Sequence, residues 1–368
     1  MKPTPVFKNP GAKLQDLLRF DSGTPVLTAE DWRRRRLELI KPLQDICYGP
    51  MPPTPEGRPR VVTTKPGKGA FRNAPSATHA RLVTFPFADS DYGILLDLYT
   101  PIKADSESPT PVVICGDGCW QRVTPEFAEL VTGRGYALCV FDRTTVSPDI
   151  GESHEAVRGS VLGRRHPELE FGAIAGWAWG FSRVLDAIQE IKGLDASRVA
   201  VCGHSRGGKA ALLAGAFDER FATVFPNGSG SGGSGSWLLQ AQGAEPLEVI
   251  TRVFPSWFTP GFAAYARRET ELPFDSHYLK ALCAPRPVVS TEALGDLWAN
   301  PAGACVTHAA AREVYRFLGG RDAHAGMHFR NGGHEHGIPD WTAMLDYCDW
   351  HYFGKPLPWD PLYTPFAL

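Results

Sequence analysis

"VAVCGHSRGGKAALLAGA", residues 199–216, moves from an apolar run through Gly203-His204-Ser205-Arg206-Gly207 into an alanine-rich segment that continues to Phe221. Strand, tight turn and helix follow one another with no spacer. Such a turn lifts a serine hydroxyl above the sheet edge and onto a helix N-terminus, and the flanking glycines permit it. The G-x-S-x-G pentapeptide occurs once in the chain. Ser205 is therefore the expected nucleophile.

Chain order supplies its partners, because in this arrangement the acid follows a later strand and the histidine the last one. The last apolar run, "GMHFRN", leads into "GGHEHGIPDW", where His334 and His336 compete. His334 directly follows the Gly-Gly turn and is the expected base; His336 then lines the site or caps the next helix. The run "RPVVST" is followed by "EALGDLWANPAG", which offers Glu292 and Asp296. Asp296 sits in the loop, where a carboxylate orients the histidine and stabilises its imidazolium, and is preferred to Glu292. A metal site on His324, His328, His334 and His336 is not expected, since neither an HExxH helix nor a cysteine partner accompanies them. No cofactor is required.

The oxyanion is expected to meet the backbone N–H of Arg206 and a second donor in "GDGCW" (116–120), at Gly118 or Cys119. Removing one such donor costs roughly 2.7–4 kcal/mol of transition-state stabilisation.

Outward from this site the apolar runs are "ARLVTFPF" (80–87), "GILLDLYTP" (93–101), "TPVVICGDG", "GYALCVFD", "SRVAVCGHS", "FATVFPNGS", "RPVVST" and "GMHFRNGG". The short gap between the first two suggests a hairpin. Helix-like segments such as "EFAELVTGR" and "GFSRVLDAIQEI" separate most of the rest. The pattern predicts an α/β fold with a mixed, mostly parallel sheet flanked by helices. Residues 1–78 read as an N-terminal arm on a catalytic domain of residues 79–368. Two long insertions, about 143–180 and 228–280, interrupt the rhythm. The Ser/Gly run "GSGSGGSGSW" opens the second and reads as a native turn. Within the arm, "TAEDWRRRRLELIKPLQDI" reads as a helix capped by Thr28, with Trp32, Leu37, Ile40 and Leu43 for packing and Arg33–Arg36 on a solvated face.

A formal net charge of −2 over 368 residues argues against a nucleic-acid partner. Eight cysteines without a CxxC pair argue against a disulfide scaffold or a thiolate metal site. No apolar stretch is long enough to span a bilayer and the N-terminus lacks an apolar leader core, so the chain as written reads as cytoplasmic; a leader upstream would make it periplasmic or secreted. Oligomeric state is left open.

With these residues placed, the sequence resembles the glucuronoyl esterases of carbohydrate esterase family 15 and their acetylxylan-esterase-like bacterial relatives, α/β-hydrolases in fold. The similarity runs from about Trp32 to Lys355. It is carried by "GHSRGGKAALLAGAFDERFA", "NGSGSGG", "LPFDSHYLKALCAPRPVVSTEALGDLWANPAG" and "GGHEHGIPDWTAMLDYCDWHYFGK". It implies a serine carboxylesterase acting on carbohydrate-linked esters through an acyl-enzyme, uronic acid esters first and acetyl esters as the alternative. It further implies that the Arg206 guanidinium supports the oxyanion and that Lys209 contacts sugar hydroxyls. For such a substrate Trp177, Trp179, Trp237, Trp257 and Trp298 are candidates for stacking on a sugar, with Trp257, Trp298 and His336 the expected substrate contacts. The best-known members carry their acid as a glutamate where this chain has Gly228; some bacterial relatives use a "DLWADP"-like loop, matched here by Asp296 in "DLWANP". An inactive carbohydrate-binding protein is the non-enzyme alternative, and the intact Ser205, His334 and Asp296 argue against it.

Overall fold

The computed structural model describes residues 2–64, 77–85, 93–101, 108–149 and 153–368. Parts of the sequence-based expectations therefore lie outside the described residues: 86–87 of the first apolar run, 150–152 of the first insertion, and 1 and 65–76 of the arm.

Among the described residues, nine strands form one sheet: β1 (Arg60–Thr64), β2 (Ala77–Phe85), β3 (Ile94–Pro101), β4 (Thr110–Cys115), β5 (Ala137–Phe141), β6 (Leu194–His204), β7 (Thr223–Asn227), β8 (Val288–Ala293) and β9 (Ala325–Arg330). Their order is β1-β2-β3-β5-β4-β6-β7-β8-β9. Strands β1, β2, β3 and β5 pair antiparallel; from β5 through β4 to β9 every pairing is parallel. Eight strands coincide with the eight apolar runs. The ninth, β1, belongs to the stretch read as arm, where "RVVTT" follows a proline-rich connector and is too short to stand out.

Helices α1 (Ala29–Pro42), α2 (Pro125–Gly133), α3 (Glu155–Arg158), α4 (Val161–Arg165) and α5 (Ala173–Gln189) precede the serine turn. Helices α6 (Arg206–Phe217), α7 (Leu247–Val253), α8 (His277–Cys283), α9 (Pro301–Phe317) and α10 (Ile338–Phe353) follow it. Parallel strands covered on both faces read as unbroken apolar runs, and all of β4 and β5 is buried. Alternation along β4 sends Val112 and Ile114 into one core layer, with Phe181 of α5, Leu212 of α6 and Leu279 of α8. Val113 and Cys115 enter the other, with Phe127 of α2 and Trp341 and Tyr347 of α10.

Helix α5 begins seven residues before the expected "GFSRVLDAIQEI", inside what reads as insertion. Its first turns, "AIAGWAWG", are apolar on every side and buried, so they lack the one-sided periodicity that marks a surface helix. The Ser/Gly run is likewise more than a surface turn. Residues 228–236 are all buried, and hydrogen bonds satisfy the segment internally: Ser229 Oγ accepts from Ser234 N–H at 2.8 Å, Ser231 Oγ donates to Glu245 O at 2.8 Å, and Ser236 Oγ donates to Asp275 Oδ2 at 2.7 Å. Irregular backbone survives burial only when its polar groups are paired.

The N-terminal residues lie on the second insertion. Lys8 N–H donates to Gln240 O at 2.8 Å, and Gln15 Nε2 donates to Leu272 O at 3.0 Å. Thr28 caps α1 in a reciprocal capping box with Asp31. The solvated-face expectation holds for Arg33 and Arg34 only. Arg35 is buried against Asp21 and Glu38, and Arg36 pairs with Glu219. Leu39, not Leu37, enters the core, while Leu37 is exposed. All eight cysteines are free and buried. Among the described residues, no helix is long and apolar enough to cross a membrane.

Candidate active site

Strand β6 ends at His204 and α6 starts at Arg206, which leaves Ser205 alone in the turn with φ 54° and ψ −118°. A side-chain-bearing residue at positive φ is strained and persists only when its surroundings over-determine it. Two contacts do so here. Ser205 N–H donates to Asn227 O at 2.8 Å, and His204 N–H donates to Asp117 Oδ2 at 2.6 Å. The Asp117 carboxylate also occupies the space a Cβ on residue 207 would need, so this position of the pentapeptide must be glycine.

Ser205 Oγ lies 2.9 Å from His334 Nε2, and His334 Nδ1 lies 2.6 Å from Asp296 Oδ2. Asp296 is buried while the imidazole is 42% exposed. A carboxylate on Nδ1 fixes the tautomer that leaves Nε2 free to accept the serine proton. The β8–β9 ladder extends into both loops to hold this spacing: Leu294 N–H donates to Arg330 O at 2.9 Å and Gly295 N–H to Gly332 O at 3.0 Å. Arg330 ties the histidine loop from within, through the carbonyls of Gly333 (3.2 Å) and Glu335 (2.6 Å) and an ion pair with buried Asp340 at 2.8 Å.

Glu292 is not the partner of His334. It is buried with both carboxylate oxygens lacking a hydrogen bond, and burial raises its pKa well above the ordinary range. His336 packs between the rings of His204 (5.9 Å) and Trp341 (5.1 Å) instead of bonding Ser205. His204 itself is buried, with Nδ1 on Asn227 Oδ1 at 2.6 Å, and burial followed by the neighbouring His334 pushes its pKa down to about 3.

The 116–120 loop departs from expectation. It continues the pairing toward β5, so Gly118 N–H donates to Phe141 O at 3.0 Å and is not available to an oxyanion. The buried Cys119 thiol sits 3.1 Å from Arg143 Nη1, and burial raises its pKa to about 12. Beside Ser205 stand the donors of Arg206, whose backbone opens α6. Its guanidinium bonds Asp149 Oδ1 at 3.0 Å and lies 4.6 Å from the Trp257 ring.

Of the tryptophans considered for sugar stacking, Trp177, Trp179 and Trp237 are fully buried core. Trp257 is buried too, stacked on Phe254 at 3.9 Å with Nε1 on Asp149 at 3.2 Å, so it supports Arg206 and offers no open face. Trp298 is 49% exposed. Lys209 is buried with Nζ donating to the carbonyls of Ser229 (2.5 Å) and Ser231 (2.7 Å), and burial lowers its pKa to about 8. Buried Glu245, whose charge opposes that lowering, donates its backbone N–H to Trp298 O at 3.1 Å. Sequence reasoning overlooked Glu245, Asp117, Arg143, Asp149 and the 57% exposed Trp120. The signal for Arg143 was its place directly after a buried strand, in "VFDRTT"; Glu245 and Asp149 carry no local pattern.

Comparison with known proteins shows the family. The family model for fungal glucuronyl esterase matches residues 93–319. A carbohydrate esterase from an unknown prokaryotic organism is 30% identical over 94% of this chain and 91% of its own. A 4-O-methyl-glucuronoyl methylesterase from Schizophyllum commune is 30% identical over 94% of this chain and 82% of its own. The solved carbohydrate esterase family 15 glucuronoyl esterase from Caldicellulosiruptor kristjansonii superposes with a TM-score of 0.80 at 31% identity, covering 97% of this chain and 95% of that one. The chain belongs to the glucuronoyl esterases of carbohydrate esterase family 15, carboxylic ester hydrolases of the α/β-hydrolase fold.

Proposed function

We propose that the protein cleaves uronic acid esters of carbohydrates, 4-O-methyl-glucuronoyl esters foremost, with Ser205, His334 and Asp296 as its catalytic triad. The observation that carries this reading is the continuous chain from Ser205 Oγ through His334 to Asp296, at 2.9 and 2.6 Å. The substrate class follows from the relatives named as 4-O-methyl-glucuronoyl methylesterases.

In the first step His334 Nε2 takes the Ser205 proton as Oγ attacks the ester carbonyl. Asp296 stabilises the imidazolium that forms. The tetrahedral oxyanion is held by the Arg206 backbone N–H at the head of α6 and by the Arg206 guanidinium. His334 then protonates the departing alcohol, and water, activated by the same histidine, hydrolyses the uronoyl-enzyme. Trp298, Glu245 and Lys209 flank the acyl side, where a stacking face and buried polar groups select a hydroxylated ring, since an ill-matched sugar leaves those groups unpaired.

The test compares the protein with Ser205→Ala on methyl or benzyl glucuronate and on acetylated xylo-oligosaccharide. Serine-dependent turnover of the uronate ester with little deacetylation supports the reading. Deacetylation without uronate turnover moves the enzyme to acetyl esters. Failure of a fluorophosphonate probe to label Ser205 in folded protein removes the esterase mechanism altogether.

A further inference from the structure

The residues before and after Ser205 are joined by a closed ring of charged side chains beneath the site. His204 N–H donates to Asp117 Oδ2 at 2.6 Å. Asp117 Oδ1 is ion-paired to Arg143 Nη1. Arg143 Nη2 reaches Asp149 Oδ2 at 3.4 Å, and Asp149 Oδ1 accepts from Arg206 Nη1 at 3.0 Å. Asp117, Arg143 and Asp149 are all buried, whereas the Arg206 side chain is 29% exposed. Two carboxylates and two guanidinium groups make the ring neutral, which is the condition under which charges tolerate burial.

Arg206 is the one member of these four whose side chain is partly exposed. A long, flexible arginine contributes to oxyanion binding in proportion to how well its fork is already aimed, because electrostatic catalysis depends on donors that need no reorganisation. Asp149 grips a single Nη1 from behind, with Trp257 Nε1 sharing the same oxygen at 3.2 Å. Of the five guanidinium N–H donors, the remainder have no hydrogen-bond partner among the described residues. Asp149 in turn is held by Arg143, whose guanidinium lies 5.0 Å from the Trp177 ring and 5.4 Å from the Trp120 ring. Trp120 sits in the left-handed region at φ 56°, with its ring 5.6 Å from the Arg206 guanidinium.

We infer that Arg143 and Asp149 are positioning residues that aim the Arg206 guanidinium at the developing oxyanion, and that Asp117 ties this clamp to the serine turn. The inference rests on the reading of Arg206 given above.

A double-variant cycle on methyl glucuronate tests it. Asp149→Asn is expected to lower kcat roughly 10- to 100-fold with KM changed less than about threefold, the signature of an interaction made in the transition state. In an Arg206→Met background the same change is expected to lower kcat by less than about twofold, because the group it positions is gone. Equal losses in both backgrounds would mean that Asp149 acts through the fold alone, and would overturn the inference while leaving Arg206 in place. An Arg206→Met variant with full kcat would overturn both. Arg143→Lys keeps the charge but lacks a fork that can hold Asp117 and Asp149 together. It is expected to lower kcat severalfold with its unfolding midpoint little changed, and covers the case in which Asp149→Asn does not fold; unchanged kcat in Arg143→Lys would equally overturn the inference.

Discussion

Gly228 and Asp296 converge on the same atom of the same histidine. A Cβ placed on Gly228 stands 3.4 Å from Asp296 Oδ2 and 3.5 Å from His334 Nδ1. One imidazole N–H is thus within reach of two backbone positions on neighbouring strands, the ends of β7 and β8. This chain supplies its carboxylate from the second. At the first it has only a glycine at φ 46°.

Asp296→Asn is expected to reduce kcat on a uronate ester by about 1,000- to 10,000-fold, since an amide favours the wrong imidazole tautomer. Adding Gly228→Glu to that variant returns a carboxylate to the neighbourhood of Nδ1 and is expected to recover at least tenfold. Recovery is incomplete because glutamate at positive φ is strained. Steady-state kinetics on the single and double variants decide it. A double variant no faster than Asp296→Asn would mean that position 228 has no line to the histidine.

The proposed triad was legible in the sequence because each member carries a local signature tied to the end of a strand: the glycine-flanked turn for Ser205, the Gly-Gly turn for His334, the loop after "VVST" for Asp296. The parallel strands were legible for the same kind of reason, being unbroken apolar runs. What could not be read were contacts between residues far apart in the chain. The Gly118 amide looks free in "GDGCW" and is engaged only because β5 lies alongside. Trp257 looks like a sugar platform until Phe254, Asp149 and Arg206 close around it. Lys209 looks like a helix-surface lysine until the Ser/Gly segment folds over it.

Trp298 is exposed beside Asp296 and its carbonyl accepts from the Glu245 N–H at 3.1 Å, so Trp298→Ala removes a stacking face and leaves that backbone bond in place. The expected result is a rise in KM of roughly tenfold on a uronate ester, with kcat within about threefold, as for binding shared by ground and transition states. Trp298→Phe keeps the face without the N–H and is expected to fall between the two. A loss confined to kcat in both variants would remove Trp298 from substrate binding.

Buried His204 makes the fold acid-sensitive. Burial pushes its pKa down to about 3 in the folded chain, against about 6.5 for an ordinary histidine, so the unfolded chain takes up a proton that the folded one refuses. The stability it contributes is present above about pH 6.5 and is lost as pH falls toward 3, at up to about 1.4 kcal/mol per pH unit. Urea unfolding at pH 7, 6 and 5 should show that slope, and His204→Asn should make it shallower by up to the same amount. Parallel pH profiles for the two proteins would mean that His204 is charged in the fold.

Glu292 works in the opposite direction. It is buried with no hydrogen bond to either oxygen among the described residues, and burial raises its pKa well above the ordinary carboxylate range, against the pull of Lys280. The folded chain therefore keeps a proton that the unfolded chain releases. The stability linked to that proton is fully present below about pH 4.5 and declines as pH rises toward the folded-state value, again by up to about 1.4 kcal/mol per pH unit. Glu292→Gln has nearly the same shape and nothing to ionise. Its unfolding free energy should match the parent's most closely near pH 4.5 and gain on it as pH rises from there. Activity on a uronate ester at pH 7 should stay within a few-fold, because His334 takes its carboxylate from Asp296. A constant difference between the two proteins across that range would mean that Glu292 is ionised in the folded chain and has a partner there.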